Sequence, residues 1–151
     1  GIANIPRMRE LGVPVGLAVD GSASNDGSNL LEELRVCYLL HRLNSSRKAP
    51  SGYDILKMAT RGSAKILGRT KLGQIAAGMA ADFFLINLNK IELTGAQFDV
   101  KSMLGTVGYK GAVNYTVVNG KIVVKDGRLT GIDEAELSKK ANAVDKKYLG
   151  I

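Results

Sequence analysis

The sequence predicts an α/β fold, and two observations support this prediction. A helical pattern at Ile5–Leu11 precedes VPVGLAV at Val13–Val19, which is β-branched and apolar on both faces, as buried parallel strands are. This expected strand leads through the small, polar residues 20–29 into the amphipathic helix Leu30–Leu43. Because α/β folds place their chemistry at the C-terminal ends of strands, residues 20–29 are the first candidates for a functional site.

Helix caps and turn residues predict the next elements. Ser51 and Asp54 form the S-x-x-D capping pattern, which predicts a helix from Ser51 to about Leu67, ended by Gly68. Ala80–Leu88 reads as a strand after the turn-rich residues 73–78. A short helix is expected near Asp99–Leu104.

The last third of the chain predicts a hairpin and a helix. Val113–Val118 and Lys121–Lys125 are β-rich and are joined by Asn119-Gly120, the preferred pair for a type I′ turn. Asp133–Leu149 has helical periodicity, with an aspartate at its start and lysines toward its end, which suits the helix dipole.

Composition narrows the class of protein. A length of 151 residues with 45% hydrophobic content fits one globular domain or a segment of a larger one. The apolar runs are far shorter than the ~20 residues of a membrane span, and the start does not resemble a signal peptide, so a cytoplasmic protein without membrane contact is expected. The net charge of +7 is spread over both halves, and tryptophan is absent, which argues against a nucleic-acid partner.

Asp20 is the first candidate for catalysis. A carboxylate at the tip of a buried strand, followed by Gly21, can serve as a metal ligand or proton shuttle, although Asp-Gly at a strand end is also a common turn. The polar residues that follow it could bind a polar ligand or cap the next helix; these are Ser22, Ser24, Asn25 and Asp26.

The chain is poor in metal ligands. It contains no H-x-H, H-E-x-x-H or C-x-x-C pattern, so its side chains cannot build an ordinary zinc site by themselves. The only histidine, His41, is interpreted as a residue of the last turn that helps to end its helix. The only cysteine, Cys37, lies in an apolar helical pattern and is interpreted as a core thiol.

Three segments resemble the amidohydrolase superfamily, in its branches of cytosine, guanine and 8-oxoguanine deaminases and triazine hydrolases. VGLAVDGSASNDGSN at residues 15–29 is similar to the last barrel strand of these enzymes and the V-D-G-x-x-S-N-like run that follows it. GRTKLGQIAAGMAADFFLINL at residues 68–88 is similar to the segment that enters their small β-sandwich. YTVVNGKIVVKDG at residues 115–127 looks like the closing strands of that sandwich.

The resemblance implies the C-terminal end of a (β/α)₈ barrel, with its last strand and flanking helices, plus part of a small β-sandwich, incomplete as it stands. It places the barrel in residues 1–67, the sandwich strands in residues 68–130 and a C-terminal helix in residues 131–151. It also implies one divalent metal, zinc or iron, held mainly by histidines that this chain lacks. We therefore expect a segment of a longer homo-oligomeric enzyme that is inactive alone.

The resemblance also assigns roles and a substrate class. Asp20 would be a metal ligand and the proton shuttle, while Ser22 and Asn25 would contact the substrate or orient Asp20. The complete enzyme would hydrolytically deaminate or dechlorinate an aminated N-heterocycle such as a purine, pyrimidine or triazine. The alternative from the residues alone is a non-catalytic α/β module that binds a protein partner through an exposed strand edge.

Overall fold

The computed structural model describes residues 1–21, 23–25 and 27–151 of the chain, and the side chain of Ser46 also lies outside the description. The chain forms two compact units. The first contains residues 1–80 and 88–111, and the second contains residues 81–87 and 112–151. The division at residues 67 and 130 stays a prediction.

The first unit is helical. Its α-helices are α1 (Ile5–Glu10), α2 (Leu30–Ser45), α3 (Gly52–Lys57), α4 (Ser63–Ile66) and α5 (Met103–Thr106), with 3₁₀ turns at Ser46–Lys48, Ile91–Leu93 and Ala96–Asp99. Helices α2, α3 and α5 pack against one another. The buried apolar side chains come from these helices and the segments beside them: Leu34, Ile55, Met58, Ala64, Leu93, Met103, Leu104 and Tyr109.

The predicted helix after Ser51 is confirmed, with an added feature. The Ser51 side chain accepts a hydrogen bond from the Asp54 backbone N–H, and the Asp54 carboxylate accepts one from the Ser51 backbone N–H, so the capping box is present. A π-helical turn at Met58–Gly62 joins α3 to α4. Gly68, at φ 64°, follows the helix in the left-handed conformation that glycine adopts most easily.

The predicted buried strand at Val13–Val19 is wrong for this chain. Residues 13–19 form no strand, and Val13 is 45% exposed. A parallel strand needs a neighbour to accept and donate its backbone hydrogen bonds. Within the described residues the only sheet is antiparallel and lies in the second unit, so this segment has no strand to pair with.

The second unit is a four-stranded antiparallel meander, in the order β1 (Phe83–Leu85), β2 (Tyr115–Val118), β3 (Lys121–Lys125) and β4 (Arg128–Leu129). The predicted hairpin is confirmed. Val118 pairs with Lys121, and Asn119 and Gly120 have φ values of 48° and 77°, as a type I′ turn requires. The expected strand at residues 80–88 forms only at its centre.

A helix, α6 (Glu134–Leu149), completes the second unit, as predicted. The Asp133 side chain caps it by accepting a hydrogen bond from the Glu136 N–H, and Gly150 ends it at φ 72°. The side chains of α6 are all exposed, including the large apolar Leu137, Val144 and Tyr148. Over the ranges that the structure describes, no helix is both long and apolar enough to cross a bilayer.

Candidate functional site

Asp20 occupies an unusual backbone conformation at the end of segment 13–19. Its φ is 67°, which costs most L-residues roughly 1–2 kcal/mol but which aspartate tolerates because its side chain can form local hydrogen bonds. The Gly21 N–H donates such a bond to Asp20 Oδ1 at 2.8 Å. The residue is exposed, so its carboxylate is accessible. Left-handed non-glycine residues are enriched at functional sites.

Helix α4 anchors the segment that leads to Asp20. The Leu17 N–H donates to Ser63 Oγ at 3.2 Å. The same hydroxyl oxygen lies 3.2 Å from the carbonyl oxygens of Leu17 and Met58, and its single proton can be donated to either of them. Gly62 allows the approach, since a Cβ atom there would lie 2.0 Å from the Val15 carbonyl oxygen. The π-helical turn therefore ends where the chain toward Asp20 docks, and such turns occur frequently at functional sites.

The loop after Asp20 is folded around the carbonyl of Gly21. The backbone N–H groups of Ser24 and Asn25 both donate to this oxygen at 2.9 Å, and Ser24 Oγ lies 3.1 Å from it. Ser22 lies outside the described residues, so its predicted contact with a substrate stays a prediction.

Asn25 ties the loop to both of its flanks. Its Nδ2 lies 2.6 Å from the Val19 carbonyl oxygen and 3.0 Å from Glu33 Oε1, while its Oδ1 accepts from the Gly27 N–H at 3.0 Å. Both amide protons therefore have acceptors inside the protein. This geometry suits a residue that holds the loop in place, while the roles expected for Asn25, contacting the substrate or orienting Asp20, stay predictions.

Sequence reasoning missed Glu33, which follows Asn25 by eight residues. It lies in the first turn of α2, where acidic residues interact favourably with the positive end of the helix dipole, so its type and position give no specific signal of the contact with Asn25. Asn29 caps the start of α2, since its Oδ1 accepts from the Leu31 N–H at 3.1 Å. Asp26, one of the residues expected to bind a ligand or cap this helix, lies outside the described residues.

A groove of about 650 Å³ lies beside this loop in the first unit. Apolar side chains of α2 and of the segment after α5 line part of it, including Val36, Leu39 and Val107. Polar side chains line the rest, including Asn25, Glu33 and Tyr109. The Asn25–Glu33 pair therefore forms part of a wall of this groove.

Burial determines the favoured protonation states of His41 and Cys37. His41 is only 4% exposed, and burial lowers its pKa, so the fold favours the neutral imidazole over a charged group at the helix end. Burial, with a smaller effect of Glu33, raises the pKa of the partly buried Cys37 thiol, which favours the unreactive protonated form.

The described part of the chain does not form a site with three or more metal ligands by itself. No three of its histidine, cysteine, aspartate and glutamate side chains come together in a way that could hold a metal. Asp20 therefore belongs to no such group within the described residues.

Comparison with known proteins identifies the family. The model of the amidohydrolase family matches residues 1–123. The hydroxydechloroatrazine ethylaminohydrolase of Pseudomonas sp. strain ADP is 46% identical over 98% of this chain and 31% of its own length. The 8-oxoguanine deaminase of Pseudomonas aeruginosa is 36% identical over 91% of this chain and 30% of its own length.

A solved structure extends the likeness to the fold. The atrazine chlorohydrolase of Arthrobacter aurescens TC1, complexed with zinc, superposes with a TM-score of 0.87 at 35% identity, covering 95% of this chain and 32% of that protein. The predicted fold class, part of an amidohydrolase-type α/β protein, is confirmed. The chain spans about a third of the length of these relatives.

Proposed function

Because the chain belongs to the amidohydrolase family, we propose that it is the C-terminal part of a metal-dependent hydrolase that deaminates or dechlorinates an aminated N-heterocycle. The observation that carries the proposal is Asp20, an exposed carboxylate held in a left-handed conformation at the start of the family-like loop. The names of the relatives, which refer to atrazine derivatives and to 8-oxoguanine, support an aminated triazine, purine or pyrimidine as the substrate.

The complete enzyme would hold one divalent metal, zinc or iron, with Asp20 as one ligand among histidines contributed by the rest of the protein. The zinc in the related atrazine chlorohydrolase supports a divalent metal. Such an ion, when bound, lowers the pKa of coordinated water from near 16 to roughly 7. The 151 residues alone would be inactive, because one carboxylate does not hold a catalytic metal.

Asp20 would move the proton. One carboxylate oxygen, Oδ1, accepts the Gly21 N–H, and this bond fixes the plane of the group. In a deamination, water adds to the ring carbon that bears the amino group, and Asp20 accepts a proton from that water. Asp20 then passes the proton to the amino nitrogen, so that ammonia leaves as the carbon–nitrogen bond breaks.

The partners follow from the same proposal. They are a small N-heterocyclic substrate, the remainder of the enzyme and further copies in a homo-oligomer, in the cytoplasm. Residues 1–67 would contribute to the barrel, residues 68–130 to the sandwich and residues 131–151 to the terminal helix. Asn25 would orient Asp20, and Ser22 would contact the substrate.

The test is Asp20→Asn in the complete enzyme, with aminated triazines, purines and pyrimidines as substrates. This change keeps the size of the side chain and removes its charge and basicity. We expect kcat/KM for ammonia release to fall by roughly two to four orders of magnitude and the metal content per protomer to drop. Asp145→Asn, the same substitution at an exposed position of α6, is the control and should change neither quantity. Unchanged turnover and metal content in Asp20→Asn would refute the proposal.

A further inference from the structure

We infer that Glu33 is a positioning residue for the proposed reaction, acting through Asn25 on the backbone that carries Asp20. The inference rests on the proposed function of Asp20 and adds a residue that no comparison assigns. Its starting point is a chain of contacts from Glu33 Oε1 to Asn25 Nδ2 at 3.0 Å, and from Asn25 Nδ2 to the Val19 carbonyl oxygen at 2.6 Å. Val19 immediately precedes Asp20. The series of contacts therefore ends on the peptide unit that sets the direction of the Asp20 carboxylate.

The support for this chain of contacts is rigid. Glu33 stands in the first turn of α2, a helix of 16 residues, and the next residue, Leu34, is only 1% exposed. Helix α2 packs against α3 and α5 in the core of the first unit. A hydrogen bond to Glu33 therefore connects the loop to a part of the protein that close packing holds in place.

The carboxylate also determines which way the Asn25 amide points. An ionised carboxylate only accepts hydrogen bonds, as does the Val19 carbonyl, so both require the NH₂ side of Asn25. The opposite side, Oδ1, then faces the Gly27 N–H, from which it accepts at 3.0 Å. Turning the amide by half a rotation would place Oδ1 against two acceptors and NH₂ against a donor. Glu33 thus favours the same orientation of the amide as the Val19 carbonyl and the Gly27 N–H do.

The adjacent Glu32 is a control that distinguishes the positioning role of Glu33 from a general effect of acidic residues at a helix start. Both glutamates lie in the first turn of α2 and interact favourably with the helix dipole. Glu32, however, lies 3.8 Å from Lys110 Nζ in an ion pair, and no hydrogen bond among the described residues joins it to Asn25. Removing Glu32 therefore changes the charge of the turn and leaves the loop contact intact.

The experiment compares Glu33→Ala, Glu33→Gln and Glu32→Ala in the complete, metal-loaded enzyme. We expect Glu33→Ala to lower kcat per metal-loaded protomer by roughly a hundredfold, since misplacement by about 1 Å from a remote change has that effect, with little change in KM. Glu33→Gln should retain most of kcat because its amide oxygen still accepts from Asn25. Glu32→Ala should keep kcat within about twofold, because a partly exposed ion pair such as that of Glu32 with Lys110 contributes little.

A second readout does not depend on turnover. Hydrogen–deuterium exchange of the backbone amides at residues 21–25 should accelerate in Glu33→Ala and stay unchanged in Glu32→Ala, since only the Glu33 variant loses the hydrogen bond to the loop.

Asn25→Asp removes the amide donors and places the new carboxylate beside that of Glu33. Adding Glu33→Gln to it restores a donor–acceptor pair, so the double variant should be more active than Asn25→Asp alone.

The outcomes distinguish this inference from the proposed function. If Asp20→Asn is inactive while Glu33→Ala matches Glu32→Ala in kcat and exchange, the positioning role is wrong and the proposed function stands. If Asp20→Asn is fully active, the proposed function itself is wrong. If Glu33→Ala does not fold, the comparison of Asn25→Asp with the double variant decides the inference. The positioning role is overturned if the double variant is no more active than Asn25→Asp alone.

Discussion

Gly62→Ala tests whether the docking of segment 13–19 on the π-helical turn determines where Asp20 lies. A Cβ atom at Gly62 would lie 2.0 Å from the Val15 carbonyl oxygen, whereas real Cβ contacts essentially never fall below 3.0 Å. The segment or the helix must therefore move by at least about 1 Å, because a close-packed interior has no space to absorb the methyl group. Misplacement of this size lowers rates by about a hundredfold, so we expect kcat/KM of the complete enzyme to fall by that factor, equivalent to about 2.7 kcal/mol.

The stability change should be smaller than the change in activity. Overpacking costs about 1–3 kcal/mol, while alanine gains about 1 kcal/mol over glycine in a helix, so the free energy of unfolding should fall by at most about 2 kcal/mol. Ammonia release and urea-induced unfolding measure the two effects, and Arg61→Ala, an exposed neighbour in the same turn, is the control. A Gly62→Ala enzyme with kcat/KM within twofold of the original would refute the proposed link between this contact and Asp20.

Two further predictions concern stability and pH, and urea-induced unfolding of the chain measures both. Burial acts to raise the pKa of Asp54, but hydrogen bonds from Ser51 and Lys57 and the charge of Arg9 hold it well below its ordinary value. Asp54 therefore stabilises the fold above about pH 4, and Asp54→Asn should cost about 1 kcal/mol at neutral pH and progressively less toward about pH 2; a cost independent of pH would contradict this. Burial lowers the pKa of His41, so its neutral form stabilises the fold above about pH 6.5, and this contribution is lost as the pH falls. In His41→Met, the free energy of unfolding should therefore fall less between about pH 7.5 and 5.5 than in the original protein. An unchanged fall would mean that other groups cause it.

Local signals predicted the elements whose causes lie within a few residues of the chain. The Ser51–Asp54 capping box, the Asn119-Gly120 turn and the capped helix α6 are present as expected. Strand β4 was missed, although Asp126-Gly127 is also a preferred hairpin pair, and both residues have positive φ. In each case the deciding interaction joins residues close in sequence, so the sequence contains the whole signal.

The candidate site was predictable only in part. Asp20 could be selected because its position after an apolar segment and its likeness to a family motif are both written in the sequence. Its left-handed conformation was not predicted. The contact of Val15 with Gly62 and the contact of Asn25 with Glu33 could not be predicted, because they join residues that the fold brings together. A glycine inside a helical pattern was the only sequence signal for the first of these contacts.

By itself, the sequence determined the family, the helix and hairpin boundaries set by caps and turns, and the residue proposed for the chemistry. The tertiary structure decided that Val13–Val19 is not a strand here, that His41 is buried and that Glu33 is tied to the loop after Asp20. The physical reason is the range of the interactions involved. Caps and turns satisfy backbone groups of nearby residues, whereas strand pairing, burial and the orientation of a side-chain amide depend on partners that only folding places within reach.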